Sequence, residues 1–390
     1  MKTSARIALL AATSLALAAV LSSCGDSAVP GARSCTAPEG TVPFVFESAG
    51  RELFGFVDVP DSPGPYPAIL LLHDSGRTDV TRGLGDFAAL RDAFRAAGVA
   101  SVVWDKAGSG CSGGRYRGLA DLYVRADDVL AALDALRAIE AVDSDRVGVW
   151  ALGEGGWVAP MAAVRTDAIE FVILVGGPAG DPIDRLGYTV GRRLERAGYA
   201  PEESRDIVDR LVRALAAMRD QAPYRDYQAA VAPLAEHPLL PPLSEAGSDV
   251  YPTERRYDEL RESAALHVTP EVFLPAVEAP VLAIWGDRDS EVDWRRAMRA
   301  YREAFARGAN ADVTIRVFEG ADHAICTGPA APDETSEADG SAPAAARCPL
   351  AEDYLETMTS WLAAYGFTRS SGPRQTRADA SPRPIEPSAE

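Results

Sequence analysis

Residues Arg146 to Pro160, RVGVWALGEGGWVAP, have the types and spacing that can hold a nucleophile. Val147 and Val149 read as a short apolar strand, a tight turn of small residues follows, and a helix begins. Such a strand–turn–helix lifts its central residue above a parallel sheet. It needs small residues two places before and two after, because neighbouring backbone approaches closely there. Ala151 and Gly155 meet that need, with Gly156 next, and the central position is Gly153. Covalent acyl transfer requires an oxygen or sulfur that a base can deprotonate, and glycine has neither. One register along, Glu154 could attack as a carboxylate, at the expense of setting Leu152 beside the turn. Glycine also adopts positive φ freely, where another residue is strained by about 1–3 kcal/mol. Gly153 therefore favours stability over chemistry.

The elements that would carry this turn can be read in order. Two period-2 runs, Val42–Glu47 and Leu53–Val59, suggest an edge hairpin. Pro67–His73 is apolar without alternation, as in a strand covered on both faces. Val99–Asp105, Phe171–Val175, Pro280–Trp285 and Val313–Phe318 read as further strands. Helical patterns fall at Phe87–Ala97, Asp121–Ile139, from Gly155 onward, and at Leu350–Tyr365. Alternation of this kind predicts an α/β class: a doubly wound, mostly parallel sheet. From Asp181 to Glu278 the pattern is helical only, which predicts an inserted helical cap over about 181–278.

At 47% hydrophobic over 390 residues, the chain can bury the core of one large domain. Its net charge of −18 argues against nucleic-acid binding and against charge-driven adhesion to anionic lipid. Lys2 and Arg6 precede an apolar stretch, Ile7–Leu21, too short to span a bilayer, so residues 1–23 read as a secretory signal. The stretch ends Leu21-Ser22-Ser23-Cys24, which resembles the lipobox of bacterial lipoproteins. That resemblance implies lipid on Cys24 and a protein tethered outside the cytoplasm, at the bacterial cell envelope, touching membrane only through that lipid. Residues 24–40 read as a flexible tether and 368–390 as a disordered tail, leaving 41–367 as the domain. Cys35, Cys111, Cys326 and Cys348 allow three pairings; Cys326 with Cys348, bracketing a Pro/Ala/Ser/Asp-rich insertion, is preferred, leaving Cys35 with Cys111. No metal-ligand spacing is present, and no cofactor is expected.

Together these motifs resemble the α/β-hydrolase superfamily, in particular bacterial secreted esterases and serine-aminopeptidase-like hydrolases, over about Val42 to Gly366. In that family a His-Gly loop supplies one oxyanion-hole amide. Here it is His73-Asp74-Ser75-Gly76, with Asp74 where glycine is usual, and the second amide would be that of Glu154. Asp105 to Gly113 matches the family's D-x-x-G-x-G-x-S-G loop. Gly286-Asp287-Arg288-Asp289-Ser290-Glu291-Val292 matches its acid motif, implying Asp289 as triad acid with Asp287 as the alternative. Gly320-Ala321-Asp322-His323 matches its base motif, implying His323. His237 and His267 lie in the cap region without a catalytic pattern. Ser75, Ser109, Ser112 and Cys111 stand in neighbouring loops as substitute nucleophiles. The resemblance implies a weak or inactive serine hydrolase that keeps a pocket for a small ester, amide or acyl ligand. The alternative is an active hydrolase of carboxylic esters or small amides, using another nucleophile or activated water.

Overall fold

A computed structural model describes residues 35–81, 87–234, 252–328 and 348–368. The expected leader 1–23, the lipidation site Cys24, the tether as far as residue 34, His237 and the tail from residue 369 lie outside the described residues. Residues from Thr36 onward form one unit by contact, and Met1–Cys35 a second, of which only Cys35 is described.

Eight strands are built in chain order: β1 (Val42–Ser48), β2 (Arg51–Asp58), β3 (Tyr66–Leu72), β4 (Ala100–Trp104), β5 (Val142–Leu152), β6 (Ile169–Val175), β7 (Val281–Gly286) and β8 (Val313–Phe318). They lie side by side in the order β1-β2-β4-β3-β5-β6-β7-β8. The β1–β2 and β2–β4 pairs are antiparallel and all others parallel. Ala49 and Gly50, both at positive φ, form the two-residue turn of the hairpin. Every residue of β3 and β4 is buried, as their unbroken apolar runs required. β5 begins five residues before Val147, because Val142 already pairs with Tyr66 ahead of a register shift.

Helices cover both faces. α1 (Ala88–Ala96) and the last helix, Tyr354–Ala364, pack Leu90, Phe94, Met358 and Leu362 on one side. α2 (Leu122–Leu136), α3 (Gly155–Ala163) and the helix Trp294–Arg307 pack Val129, Leu133, Trp157 and Tyr301 on the other. Between β6 and β7 the described residues contain helices and no strand: α4 (Pro182–Arg196), α5 (Pro201–Arg219), α6 (Tyr224–Val231) and α7 (Glu254–Arg261) are the longer ones. They share an apolar core of their own, with Leu194, Leu211, Met218, Tyr227 and Tyr257 at its centre. None of the described helices is long and apolar enough to cross a membrane.

The sheet is tight where β5 meets β6. A Cβ on Gly148 would stand 2.4 Å from the Phe171 ring. Overpacking of this kind typically costs about 1–3 kcal/mol, so Gly148→Val should lower the urea midpoint of unfolding without changing the slope; an unchanged midpoint would mean that the ring yields freely.

Cys326 and Cys348 form a disulfide, as expected, and Cys326 bridges to Leu350. Thr327 N–H donates to the Pro349 carbonyl (2.8 Å) and Ala351 N–H to that of Ile325 (2.9 Å). This short antiparallel clamp delays the last helix to Tyr354. Cys35 and Cys111 are also disulfide-bonded. Oxidised cysteines throughout the described chain fit an extracytoplasmic compartment.

Candidate active site

β5 ends at Leu152 and α3 starts at Gly155, so Gly153 and Glu154 make the turn between them. Gly153 has φ +49° and its N–H donates to the Val175 carbonyl (3.0 Å), while Gly156 N–H donates back to Gly153 (2.8 Å). The small residues are needed as predicted: a Cβ on Gly155 would lie 3.1 Å from Ala151 and 3.2 Å from Leu72.

Asp289 follows β7 and His323 follows β8. The Asp289 Oδ1 accepts from the N–H groups of Glu291 and Val292 (2.8 Å each), and its Oδ2 lies 2.8 Å from His323 Nδ1. Asp287, the alternative acid, is instead held by the Gly320 N–H (2.7 Å). Gly176, at the end of β6, gives the imidazole room: a Cβ there would meet the ring at 2.6 Å. The sheet order, with the tight Gly153 turn after β5, Asp289 after β7 and His323 after β8, decides the architecture. The chain has the α/β-hydrolase fold.

Sequence reasoning missed what fills the space above the turn at Gly153. A Cβ on Gly153 would stand 2.1 Å from Asp74 Oδ1, 2.4 Å from its Cγ and 2.7 Å from Oδ2. The Asp74 carboxylate, and not empty space, occupies the place above the turn. Its Oδ1 accepts the Glu154 N–H (2.6 Å), its Oδ2 lies 3.4 Å from His323 Nε2, and the Ser75 N–H also bonds to the carboxylate. The Glu154 amide, expected to serve a substrate oxyanion, is thus engaged by a side chain of the protein. The loop carrying Asp74 is pinned from below: the Lys106 ammonium donates to the carbonyls of Asp74 and Gly76, and Arg125 to that of His73.

The remaining candidates are accounted for. The Glu154 carboxylate turns inward to pair with Arg125. Cys111 is in a disulfide. The Ser109 hydroxyl donates to the Lys106 carbonyl and that of Ser112 to Asp105 (2.7 Å each), while Ser75 is exposed. His267 is exposed, next to the Arg261 carbonyl.

Helix α4 lies over the acid loop: the Tyr188 hydroxyl donates to the Asp289 carbonyl (3.1 Å) and that of Thr189 to Glu291 (2.9 Å). Arg185 stacks on Trp157 at 4.8 Å, and its buried Nε has no partner among the described residues. Beside Asp289 a cleft of about 550 Å³ is rimmed by Tyr188, Arg192, Arg196, Arg288 and Trp294. Asp74, Glu291 and His323 form the single group of the described residues whose ligand-type atoms all lie within 4.8 Å of one another.

Burial opposes charge on His323, but Asp289 and Glu291 outweigh it and hold its pKa well above 6.5. Burial would also raise Asp74, yet the hydrogen bond and charge of His323 bring it from 3.8 down to about 2. Folded His323 keeps its proton longer than the unfolded chain does. Its contribution to stability is therefore complete below 6.5 and fades as pH rises through its own higher value. Asp74 contributes fully above 3.8 and loses that contribution as pH falls toward 2. The stability difference between wild type and His323→Gln, read from urea unfolding, should be largest at mildly acidic pH and shrink in alkali. A difference that grows with pH would refute this ion cluster.

No protein-family model matches the chain. It is 28% identical over 130 residues to the uncharacterized protein YcjY of Escherichia coli, covering 33% of this chain and 40% of that one. It is 26% identical over 136 residues to the quorum-quenching protein AidA of Acinetobacter baumannii, covering 35% and 43%. Each match spans about two-fifths of the curated relative's length. Solved structures similar to this hydrolase fold include DcsB in complex with its substrate analogue, with TM-score 0.49, 15% identity and coverage of 83% of this chain and 98% of that one. The esterase Pf2001 of Pyrococcus furiosus gives 0.47, 15%, 83% and 92%. Est1E of Butyrivibrio proteoclasticus with bound ferulic acid gives 0.46, 15%, 81% and 94%.

Proposed function

We propose that this is an envelope lipoprotein that has given up serine-hydrolase turnover and retains a site for a small ester, amide or acyl ligand beneath a helical cap. In this reading Asp289 and His323 are the acid and base of the former triad, and Gly153 is its vacated nucleophile position. The observation that carries the reading is the Asp74 carboxylate lodged against Gly153 with the Glu154 N–H bonded to it. An ordinary acyl-enzyme requires a hydroxyl where Gly153 stands and free donors where the Asp74 oxygen now lies. The cleft that reaches Asp289 is within the size range of small-molecule sites, and its lining from the cap is Tyr188, Arg192 and Arg196.

The domain 41–367 should stay unlabelled by a serine-directed fluorophosphonate and leave short-chain p-nitrophenyl esters at the background rate. Labelling, or ester turnover lost in His323→Ala, would overturn the reading.

A further inference from the structure

Glu291 has no part in the Asp289–His323 pair, yet its carboxylate faces the same imidazole. We propose that Asp74, Glu291 and His323 bind a divalent cation of the zinc type in a site with three protein ligands. The proposal rests on the reading above only in that glycine at position 153 leaves Asp74 its room.

Three observations carry it. First, these side chains offer one imidazole nitrogen and two carboxylate oxygens, all within 4.8 Å of one another. They come from the loops after β3, β7 and β8, so no local spacing in the sequence announces the set. His323 Nε2 and Asp74 Oδ2 are 3.4 Å apart. A charge-assisted N–H···O bond is shorter, at about 2.7–2.9 Å. Nitrogen and oxygen ligands of one zinc ion stand about 3.3–3.5 Å apart in a tetrahedron, and about 2.8–3.0 Å apart in an octahedron. Second, the Glu291 carboxylate is unsatisfied. Its backbone is fixed on both sides, the N–H donating to Asp289 Oδ1 (2.8 Å) and the carbonyl accepting from the Thr189 hydroxyl (2.9 Å). The carboxylate itself has no hydrogen bond or close ion pair among the described residues, although burial is enough to raise its pKa. Enclosed carboxylates are ordinarily paired or coordinate a metal. Arg185, whose charge reaches the same carboxylates from the cap, is stacked on Trp157 and pairs with none of them. Third, the supports behind the ligands are in place. Asp289 holds His323 Nδ1 at 2.8 Å, which leaves Nε2 to face the two carboxylates. The Glu154 N–H holds Asp74 Oδ1 at 2.6 Å and leaves Oδ2 for an ion. A carboxylate behind a ligating histidine and a donor behind a ligating carboxylate orient the ligands of metal sites.

The donor set selects the ion. Calcium and magnesium prefer six or more oxygen ligands, whereas imidazole with two carboxylates suits zinc. The described cysteines are all in disulfides, so their sulfurs do not compete for it. Three protein ligands leave a fourth position open. The Asp74 side chain, 24% exposed, puts that position within reach of solvent. A carbonyl or carboxylate oxygen of a small ligand can take it, which gives the site a handle for polar acyl compounds.

The probes are Zn²⁺ and Co²⁺ alone, in mildly alkaline buffer, because only a neutral imidazole ligates. The full chain, stripped with EDTA and dialysed against micromolar Zn²⁺, should retain one zinc per chain by elemental analysis. Its urea midpoint should rise with Zn²⁺ concentration, as for any ligand that binds the folded state alone. Co²⁺ should give the intense visible bands of four-coordinate cobalt, which Zn²⁺ then abolishes; these three measurements need no variant. Glu291→Gln should weaken Zn²⁺ binding at least about 10-fold without lowering the metal-free urea midpoint. His323→Gln should weaken it at least as much, and His267→Gln, at an exposed histidine, should leave it unchanged. The proposal is overturned by no retained zinc, by the pale spectrum of six-coordinate cobalt, by wild-type affinity in Glu291→Gln or His323→Gln, or by an equal loss in His267→Gln. Metal content is read without any turnover, and fluorophosphonate labelling tests the reading above, so either can fail alone.

Discussion

Asp74→Gly combined with Gly153→Ser should turn the protein into an esterase, and Gly153→Ser alone should not. A serine Cβ at position 153 would meet the Asp74 carboxylate at 2.1–2.7 Å. The single variant must therefore expel that carboxylate from the Glu154 N–H and from the face of His323. It also places a non-glycine residue at φ +49°, strained by about 1–3 kcal/mol. Removing the Asp74 side chain clears the clash and frees the Glu154 amide, while leaving the amide of residue 74 in place. Restoring one oxyanion donor is worth about 10²–10³ in rate, so the double variant should hydrolyse p-nitrophenyl butyrate at least about 10²-fold faster than the parent. It should label with fluorophosphonate, and adding His323→Ala should remove both gains. A folded double variant that stays unlabelled would show that Asp289 and His323 do not address position 153.

Arg125→Met should be among the most destabilising single changes in the domain. Glu154 is 1% exposed and directed at Arg125, itself 9% exposed. Deleting one partner of a buried ion pair strands the other charge and typically costs about 3–5 kcal/mol. Arg125 also holds the His73 carbonyl (2.8 Å), so its loss loosens the loop that carries Asp74. Arg125→Met with Glu154→Gln should recover most of the urea midpoint, because no unpaired charge then remains inside. Equal losses in the single and double variants would assign the effect to packing or to the His73 bond.

Much of the fold was legible because its signals are local. Unbroken apolar runs gave β3 and β4, and the turn chemistry after Val149 marked the nucleophile turn before any contact was known. Asp289 and His323 were singled out only by the motifs of the resembled family, and the structure brings the two side chains to 2.8 Å of each other. The role of Asp74 was not legible in the same way. Its partners Glu154 and His323 lie 80 and 249 positions further along the chain, and nothing near Asp74 says where its side chain points. A signal did exist in the form of two departures from one motif set, an acidic residue where glycine is usual and a glycine where serine is usual. Read singly, each is a loss. Read together, they have complementary volumes. Arg185 and Glu291 escaped notice for a plainer reason, since charged residues on a helix or in a loop are ordinarily solvated.

The clamp at Cys326–Cys348 makes this enzyme-like frame modular at one point. The two Cα atoms are 5.6 Å apart although 22 positions separate them, and the strand-like bonds of Thr327 and Ala351 continue the closure on either side. His323 is therefore fixed by what lies before and at the clamp, whatever the length of chain between its two halves. Doubling that length changes the entropy of closure by only about 0.6 kcal/mol. The position is a natural socket: lineages can lengthen, shorten or recode the segment, and an engineer can graft a reporter or affinity loop there, without retuning the histidine.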